Sequence, residues 1–290
     1  MYYKNKKKYN HWQIAYRTES NKEFVLLPNP PYAWAADPFL VEFKGKTYLF
    51  AELYLYKSER NGVIGYCEYQ DGHFGEWTVT MDRHWHLSYP NVFVYEDKLY
   101  MCPESYQRDD VSIYQLQDFP DRWKKVVTLI DNEKCADSTF LRYNEENYLF
   151  TFKPSFHQYG GQLYLYHLQD GHIDKEQYIT DNKISARPGG NILNIGEKYI
   201  RVSQDCSKGY GCGLVFSEII SVWPKYEERI IKKISADDIF NGCGKRYTGV
   251  HTYNVLNGIE VIDLKYPRFS LQEYMAKRRV RKVFLNKYSK

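Results

Sequence analysis

The chain has 290 residues, 40 basic and 36 acidic side chains and a net charge of +4, long enough for one large domain with a buried core. With 43% hydrophobic and 26% charged residues its composition is globular, and no stretch approaches the roughly 20 uninterrupted apolar residues of a membrane-spanning helix. Six cysteines without a CxxC pair or zinc-ligand spacing point to reduced thiols.

The N-terminal run MYYKNKKKYNHWQIAYRT is basic with no apolar segment behind it, so the expectation is a chain without a secretory signal, located in the cytoplasm. Beyond it, Gly, Asn and Asp punctuate a sequence carrying 29 Tyr and 15 Phe, which is strand-and-turn chemistry. DPFLVEFKGKTYLFAE, from Asp37 to Glu52, returns as YPNVFVYEDKLYMCPE from Tyr89 to Glu104. It returns again as DSTFLRYNEENYLFTF from Asp137 and RPGGNILNIGEKYIRV from Arg187, with a degenerate fifth copy, HTYNVLNGIEVIDLKY, from His251. Each copy is an apolar run, a polar turn and a second run rich in Tyr, Phe and Leu, the pattern of a β-hairpin. GVIGYCEY, VSIYQLQ, GQLYLYHL and CGLVFSEI supply further strands between the copies.

Four strands recurring about every 50 residues is the period of a propeller blade. A sandwich has no reason to repeat at constant phase, and a β-helix repeats on a much shorter period. The expected fold is all-β, a five-bladed β-propeller over residues 1–267, with the repeats in about 20–267 and blades starting near 37, 89, 137, 187 and 251. Residues 268–290 are expected to form a basic helical tail. It holds Lys277, Arg278, Arg279, Arg281, Lys282, Lys287 and Lys290 with Leu271, Tyr274, Met275, Val280, Val283, Phe284 and Leu285 near helical spacing. Such a helix suits an anionic membrane surface or packs back on the propeller. Without the tail the body is slightly acidic, so no nucleic-acid partner is expected.

The inner strands of a propeller all start at one face, and the second strands end there. Asp37, Asp137, Arg187 and His251 begin inner strands, while Glu52 and Glu104 end second strands, so these six groups are expected to converge on one funnel. Convergent carboxylates in an aromatic-lined pocket suit glycosyl chemistry, where one activates a hydroxyl or water and another protonates the leaving oxygen. Turn capping is the alternative for any single acid. Gln204 and Asp205 in RVSQDCS fall near the same face, to bond sugar hydroxyls or shape a turn. Trp34, Trp85, Tyr89 and Tyr106 are candidate stacking platforms. His84 and His86 share a strand face but have no evident third ligand; His86 is kept as a substrate contact, and neither a metal nor a cofactor is expected. The glycines of SKGYGCG and NGCGKRYTG do not read GxxxxGK[ST], and there is no Asp-x-Asp motif.

The segments WAADPFLVEFKGKTYLFAE, HLSYPNVF, YMCPES, FPDRW, CADSTFL and RPGGNIL with RVSQDCSKGYG resemble the N-terminal domain of glucosamine inositolphosphorylceramide transferase and its free-standing bacterial relatives, over roughly residues 30–225. That domain is similar to the five-bladed propellers of glycoside hydrolase families 43, 32 and 117. The resemblance implies that Asp37 is a base or nucleophile and that Asp137 tunes and orients. It also implies a departure, because Arg187 stands where family 43 places its acidic Glu, leaving Glu104 as the substitute acid. An arginine there implies an anionic group in the funnel, or else an ion pair to Asp137 or Glu104 that braces the blades. The expected function is carbohydrate-active, in surface-glycan or glycolipid assembly on a sugar or activated sugar, with glycosyl transfer leading. A hydrolase or phosphorylase on the same propeller, and a non-catalytic glycan-binding module, are the alternatives.

Overall fold

The computed structural model describes residues 9–58, 62–156, 159–239 and 247–269. It is a ring of five antiparallel sheets. Blade one runs Ala33–Phe43, Lys46–Leu55 and Gly62–Gln70, with His73–Phe74 and Thr78–Met81 outside. Blade two is Ser88–Tyr95, Lys98–Glu104, Asp110–Asp118 and Arg122–Asp131, and blade three is Ala136–Tyr143, Glu146–Pro154, Gly161–Gln169 and His172–Thr180. Blade four begins with the short pieces Arg187–Pro188 and Leu193–Ile195, followed by Lys198–Asp205, Gly213–Ser221 and Glu227–Ile234.

Blade five joins the two ends of the chain. Its inner hairpin is Tyr253–Leu256 and Ile259–Arg268, but its third strand is Tyr9–Thr18 and its edge is Val25–Leu26. Ten residue pairs, from Tyr9 opposite Arg268 to Thr18 opposite Ile259, zip the N-terminal strand to the C-terminal one. The ring therefore starts at residue 9 rather than near residue 20, because an unclosed ring would leave one hydrophobic flank without a partner. The expected tail helix lies outside the described residues, as does Cys243.

The inner hairpins form where the turn chemistry dictates. Lys44 and Gly45, Glu96 and Asp97, Asn144 and Glu145, and Asn257 and Gly258 all have positive φ. Two consecutive residues of this kind make the turn whose twist matches that of the flanking strands.

The core is not central but lies between neighbouring blades. Phe39, Phe50 and Ile64 of blade one meet Leu87, Val92 and Met101 of blade two, and Phe150 and Leu163 of blade three meet Ile219 and Tyr226 of blade four. Ile14 and Val261 of blade five pack on Ala35, Leu49 and Leu53 of blade one. With the apolar side chains spent between the sheets, the inner strands present polar groups along the axis.

The closure strand gives a direct test. Ile14→Ala deletes fully buried methyl groups between blades five and one and should cost about 3 kcal/mol. Val126→Ala, at a 44% exposed position, should change stability by less than about 0.5 kcal/mol. Urea unfolding of the two variants makes the comparison, and equal midpoints would show that the N-terminal strand does not hold the ring.

Candidate functional site

The first three inner strands share a local irregularity. Register shifts fall between Ala36 and Phe39, Ser88 and Asn91, and Ala136 and Thr139. Asp37, Tyr89 and Asp137 sit inside these bulges with φ of 52°, 41° and 49°. A bulge kinks the strand and re-aims a side chain, and here it frees the backbone N–H of each residue from the ladder. Each freed amide is taken by a carboxylate from another blade. The Asp37 amide donates to Asp263 Oδ2 (3.0 Å), the Tyr89 amide to Asp37 Oδ2 (3.2 Å) and the Asp137 amide to Glu104 Oε2 (3.1 Å).

The belt continues around the ring. Arg187 donates through Nε to Asp137 Oδ2 and places Nη2 4.0 Å from Glu104 Oε2. Gln204 donates through Nε2 to Asp137 Oδ2 (2.9 Å) and to the Pro188 carbonyl (2.8 Å). His251 sets Nδ1 2.6 Å from Asp263 Oδ2 and Nε2 3.6 Å from Asp37 Oδ1, and Thr252 donates to that same Asp37 oxygen at 2.9 Å. The imidazole lies flat on Trp12, ring centroids 3.7 Å apart.

Burial controls the charges. Asp37 is 5% exposed, Asp137 3% and Asp263 0%. Burial pushes the Asp37 carboxyl up to about 6, with His251 pulling it down and Asp263 and Asp137 adding to the rise. Burial and then the Asp137 charge push Glu104 up to about 8 against the opposing Arg187. Glu52 is held well above the usual carboxylate range by burial and by Asp37 and Glu104. Burial lowers His251, but Asp263 and Asp37 outweigh it and keep the imidazole above its ordinary value.

Asp37, His251 and Asp263 are the one described cluster whose ligand atoms lie within 4.8 Å of one another. Each of the four carboxylate oxygens already accepts at least one hydrogen bond. Both Asp263 oxygens accept amides, from Asp37 on one and from His251 and Thr252 on the other, and both Asp37 oxygens accept donors as well. The set fits a hydrogen-bonded relay better than a cation's coordination shell.

Asp37, Glu52, Glu104, Asp137, Arg187, Gln204 and His251 thus occupy one mouth. Several expectations need correction. Arg187 takes the bracing role, since its Nε is committed to Asp137. Tyr89 is no stacking platform: it is fully buried, and its hydroxyl ties Thr139 (2.8 Å) to the Gly190 amide (2.8 Å) across blades. Trp34 is 7% exposed and already stacked on Tyr54 at 4.5 Å. Asp205 shapes a turn, its Oδ1 accepting the Ser207 amide at 2.9 Å. His86 accepts the Gly62 amide at Nδ1 (2.9 Å) and sets Nε2 3.5 Å from Glu52, at the edge of the cluster. Asp263 and Thr252 were missed: Asp263 lies in the middle of the strand Ile259–Arg268, where the repeat pattern marks no site position.

The sequence pattern of the family described as "Glucosamine inositolphosphorylceramide transferase 1, N-terminal" matches residues 10–254. The chain belongs to this family. Glucosamine inositolphosphorylceramide transferase 1 of Oryza sativa subsp. japonica is 31% identical over 191 residues, covering 62% of this chain and 25% of the relative. The Arabidopsis thaliana protein of that name is 30% identical over 217 residues, covering 70% and 27%. The chain therefore spans about a quarter of the length of the curated relatives it matches. Among solved structures, a family 43 β-xylosidase/α-arabinofuranosidase from a compost metagenome superposes with a TM-score of 0.58 at 11% identity, covering 83% of this chain and 92% of that one. The α-L-arabinofuranosidase of Podospora anserina gives 0.56 at 9% identity, covering 84% and 95%. At these identities the likeness establishes the propeller fold that this family member adopts.

The raised carboxyls carry a sign for stability. A folded state that binds protons more tightly than the unfolded chain loses stability as pH rises from the unfolded to the folded midpoint. For Asp37 that window runs from about 4 up to about 6, and for Glu104 from about 4 up to about 8. Thermal stability should therefore fall between pH 5 and pH 8, and Glu104→Gln should flatten that slope. Arg187→Met, which strands Asp137 and Glu104, should cost about 3 kcal/mol. Thermal scans across pH check all three, and a wild-type midpoint that rises toward pH 8 would contradict the burial argument.

Proposed function

We propose that the chain is a carbohydrate-active domain that acts on a glycosidic bond in its central funnel, transferring the glycosyl unit to an acceptor hydroxyl in glycan or glycolipid assembly. The observation that carries this reading is the pair of buried carboxyls in one hydrogen-bonded belt, Asp37 held by Thr252 and the Tyr89 amide and Glu104 by the Asp137 amide, which burial pushes up to about 6 and about 8. At neutral pH the first is mainly a carboxylate and the second mainly an acid, the two states that a base and an acid need on opposite sides of one bond. Asp37 takes the proton of the incoming hydroxyl. Glu104 gives its proton to the departing oxygen, and Asp137 holds Arg187 and Gln204 in place beside it. Membership of a family named for a transferase supports transfer over hydrolysis.

The charge balance supports a restriction on the sugar. Asp37, Glu52, Glu104, Asp137 and Asp263 face Arg187 and His251, and Arg187 is already committed to Asp137. The part of the substrate inside the funnel is therefore neutral or cationic, which suits a glycoside donor better than a sugar phosphate, whose phosphate oxygen would itself be the departing atom beside Glu104. The basic run from Lys277 to Lys290 supports an acceptor at an anionic membrane surface, reached from the cytoplasmic side.

A non-catalytic glycan-binding role is favoured by one observation: both oxygens of Asp37 already accept hydrogen bonds. Turnover separates the two readings. With nitrophenyl glycosides and saccharide acceptors assayed by mass spectrometry, the rate should peak between about pH 6 and 8. Asp37→Asn should lose about a hundredfold or more. Glu104→Gln should lose far less with the nitrophenyl leaving group, which needs no proton, than with an alkyl glycoside. Binding without turnover on any donor would leave the binding-module role.

A further inference from the structure

The glycine-flanked tyrosine of SKGYGCG is not a phosphate loop, and the structure gives it another position. Tyr210 lies in the turn joining Lys198–Asp205 to Gly213–Ser221, with its ring beside the acid cluster. The Arg187 guanidinium lies 5.0 Å from its ring centroid, and the ring meets His251 edge-on at 5.2 Å and Trp12 at 6.1 Å.

The backbone there is fixed. Gly211 has φ +57°, and a Cβ on it would come within 2.9 Å of both Trp12 and His251, so only glycine lets the chain descend this close. Lys265 donates through Nζ to the Tyr210 carbonyl from the other side. A side chain anchored in this way is a preorganised wall of the site, not a loose cover.

The ring flanks the acid cluster, set against Arg187, which donates to Asp137, and against His251, whose Nε2 is 3.6 Å from Asp37. Burial keeps the Tyr210 hydroxyl protonated against the pull of Arg187, with Asp37, Asp137 and Glu104 adding to the rise. A protonated phenol among carboxyl groups is a hydrogen-bond donor, and no described residue accepts from it. We propose that the Tyr210 hydroxyl is a substrate-contacting group that donates to a ring-face hydroxyl or ether oxygen of a neutral or amino sugar seated between Asp37 and Glu104. This rests on the funnel being the sugar site, and it adds a binding residue from blade four that the acid pattern does not supply.

Two variants separate the phenol from the ring. Tyr210→Phe keeps the contacts with Arg187, His251 and Trp12 and removes the donor, while Tyr210→Ala removes both. Binding of methyl glycosides of hexoses, hexosamines and uronates to the full chain is read by saturation-transfer NMR and calorimetry. The folded state of each variant is checked by near-ultraviolet circular dichroism. For the hexoside or hexosaminide that wild type binds best, Tyr210→Phe should lose about tenfold in affinity with an unchanged dichroism spectrum. Unchanged affinity in Tyr210→Phe would overturn the phenol contact alone and leave the funnel as the sugar site. Failure of wild type to bind any of the glycosides would overturn both, and preference for the uronates would overturn the substrate class.

Discussion

Carboxyl groups taken out of water cost several kcal/mol each unless they are paired or protonated, and this funnel buries Asp37, Asp137, Asp263 and Glu52 together. The surrounding structure is the answer to that constraint. Bulges at Asp37, Tyr89 and Asp137 turn their amides toward neighbouring carboxylates, Arg187 bridges Asp137 toward Glu104, and His251 sits between Asp263 and Asp37. At Glu52 and Glu104 burial and the neighbouring carboxylates outweigh such partners and hold the carboxyl above its ordinary value. The same compensation that holds five blades in register therefore produces an axis where ionised and protonated carboxyls coexist.

This coupling joins fold and function physically. The belt of hydrogen bonds passes from blade five to one, one to two, two to three and three to four, so displacing one blade alters the protonation of its neighbours. Arg187 is the clearest example. It is a guanidinium buried at the axis, and its partners are carboxylates of the protein itself. Its presence raises the demand on Glu104, which the bulge amide of Asp137 positions from the adjacent blade.

Much of this was legible in the sequence because hairpins and turns are local. The periodic DPF, YPN, DST and RPG starts gave the blade phase, and with it the convergence of Asp37, Asp137, Arg187 and His251. What escaped was non-local. The strand Tyr9–Thr18 pairs with the inner hairpin of its blade across some 250 residues, and ring closure leaves no repeat in the sequence. Asp263 was hidden by the altered spacing of the fifth copy, and Tyr210 by its place in a turn, where no periodicity marks direction. Tyr89 had the right phase, but phase could not tell that its ring fills the space between blades. Arg187 declared its charge, but the sequence left open whether an outside anion or Asp137 and Glu104 would take it.

If Asp37 is the base and Glu104 the acid, the two carboxyl groups hold opposite protonation states at neutral pH. Carbon-13 NMR titration of the intact chain, with Asp and Glu carboxyls labelled and assigned through Asp37→Asn and Glu104→Gln, measures this directly. The Asp37 signal should titrate near pH 6 and the Glu104 signal near pH 8. If both carboxyls titrate below pH 5, the funnel holds only ionised groups at neutral pH and the assignment of base and acid is contradicted.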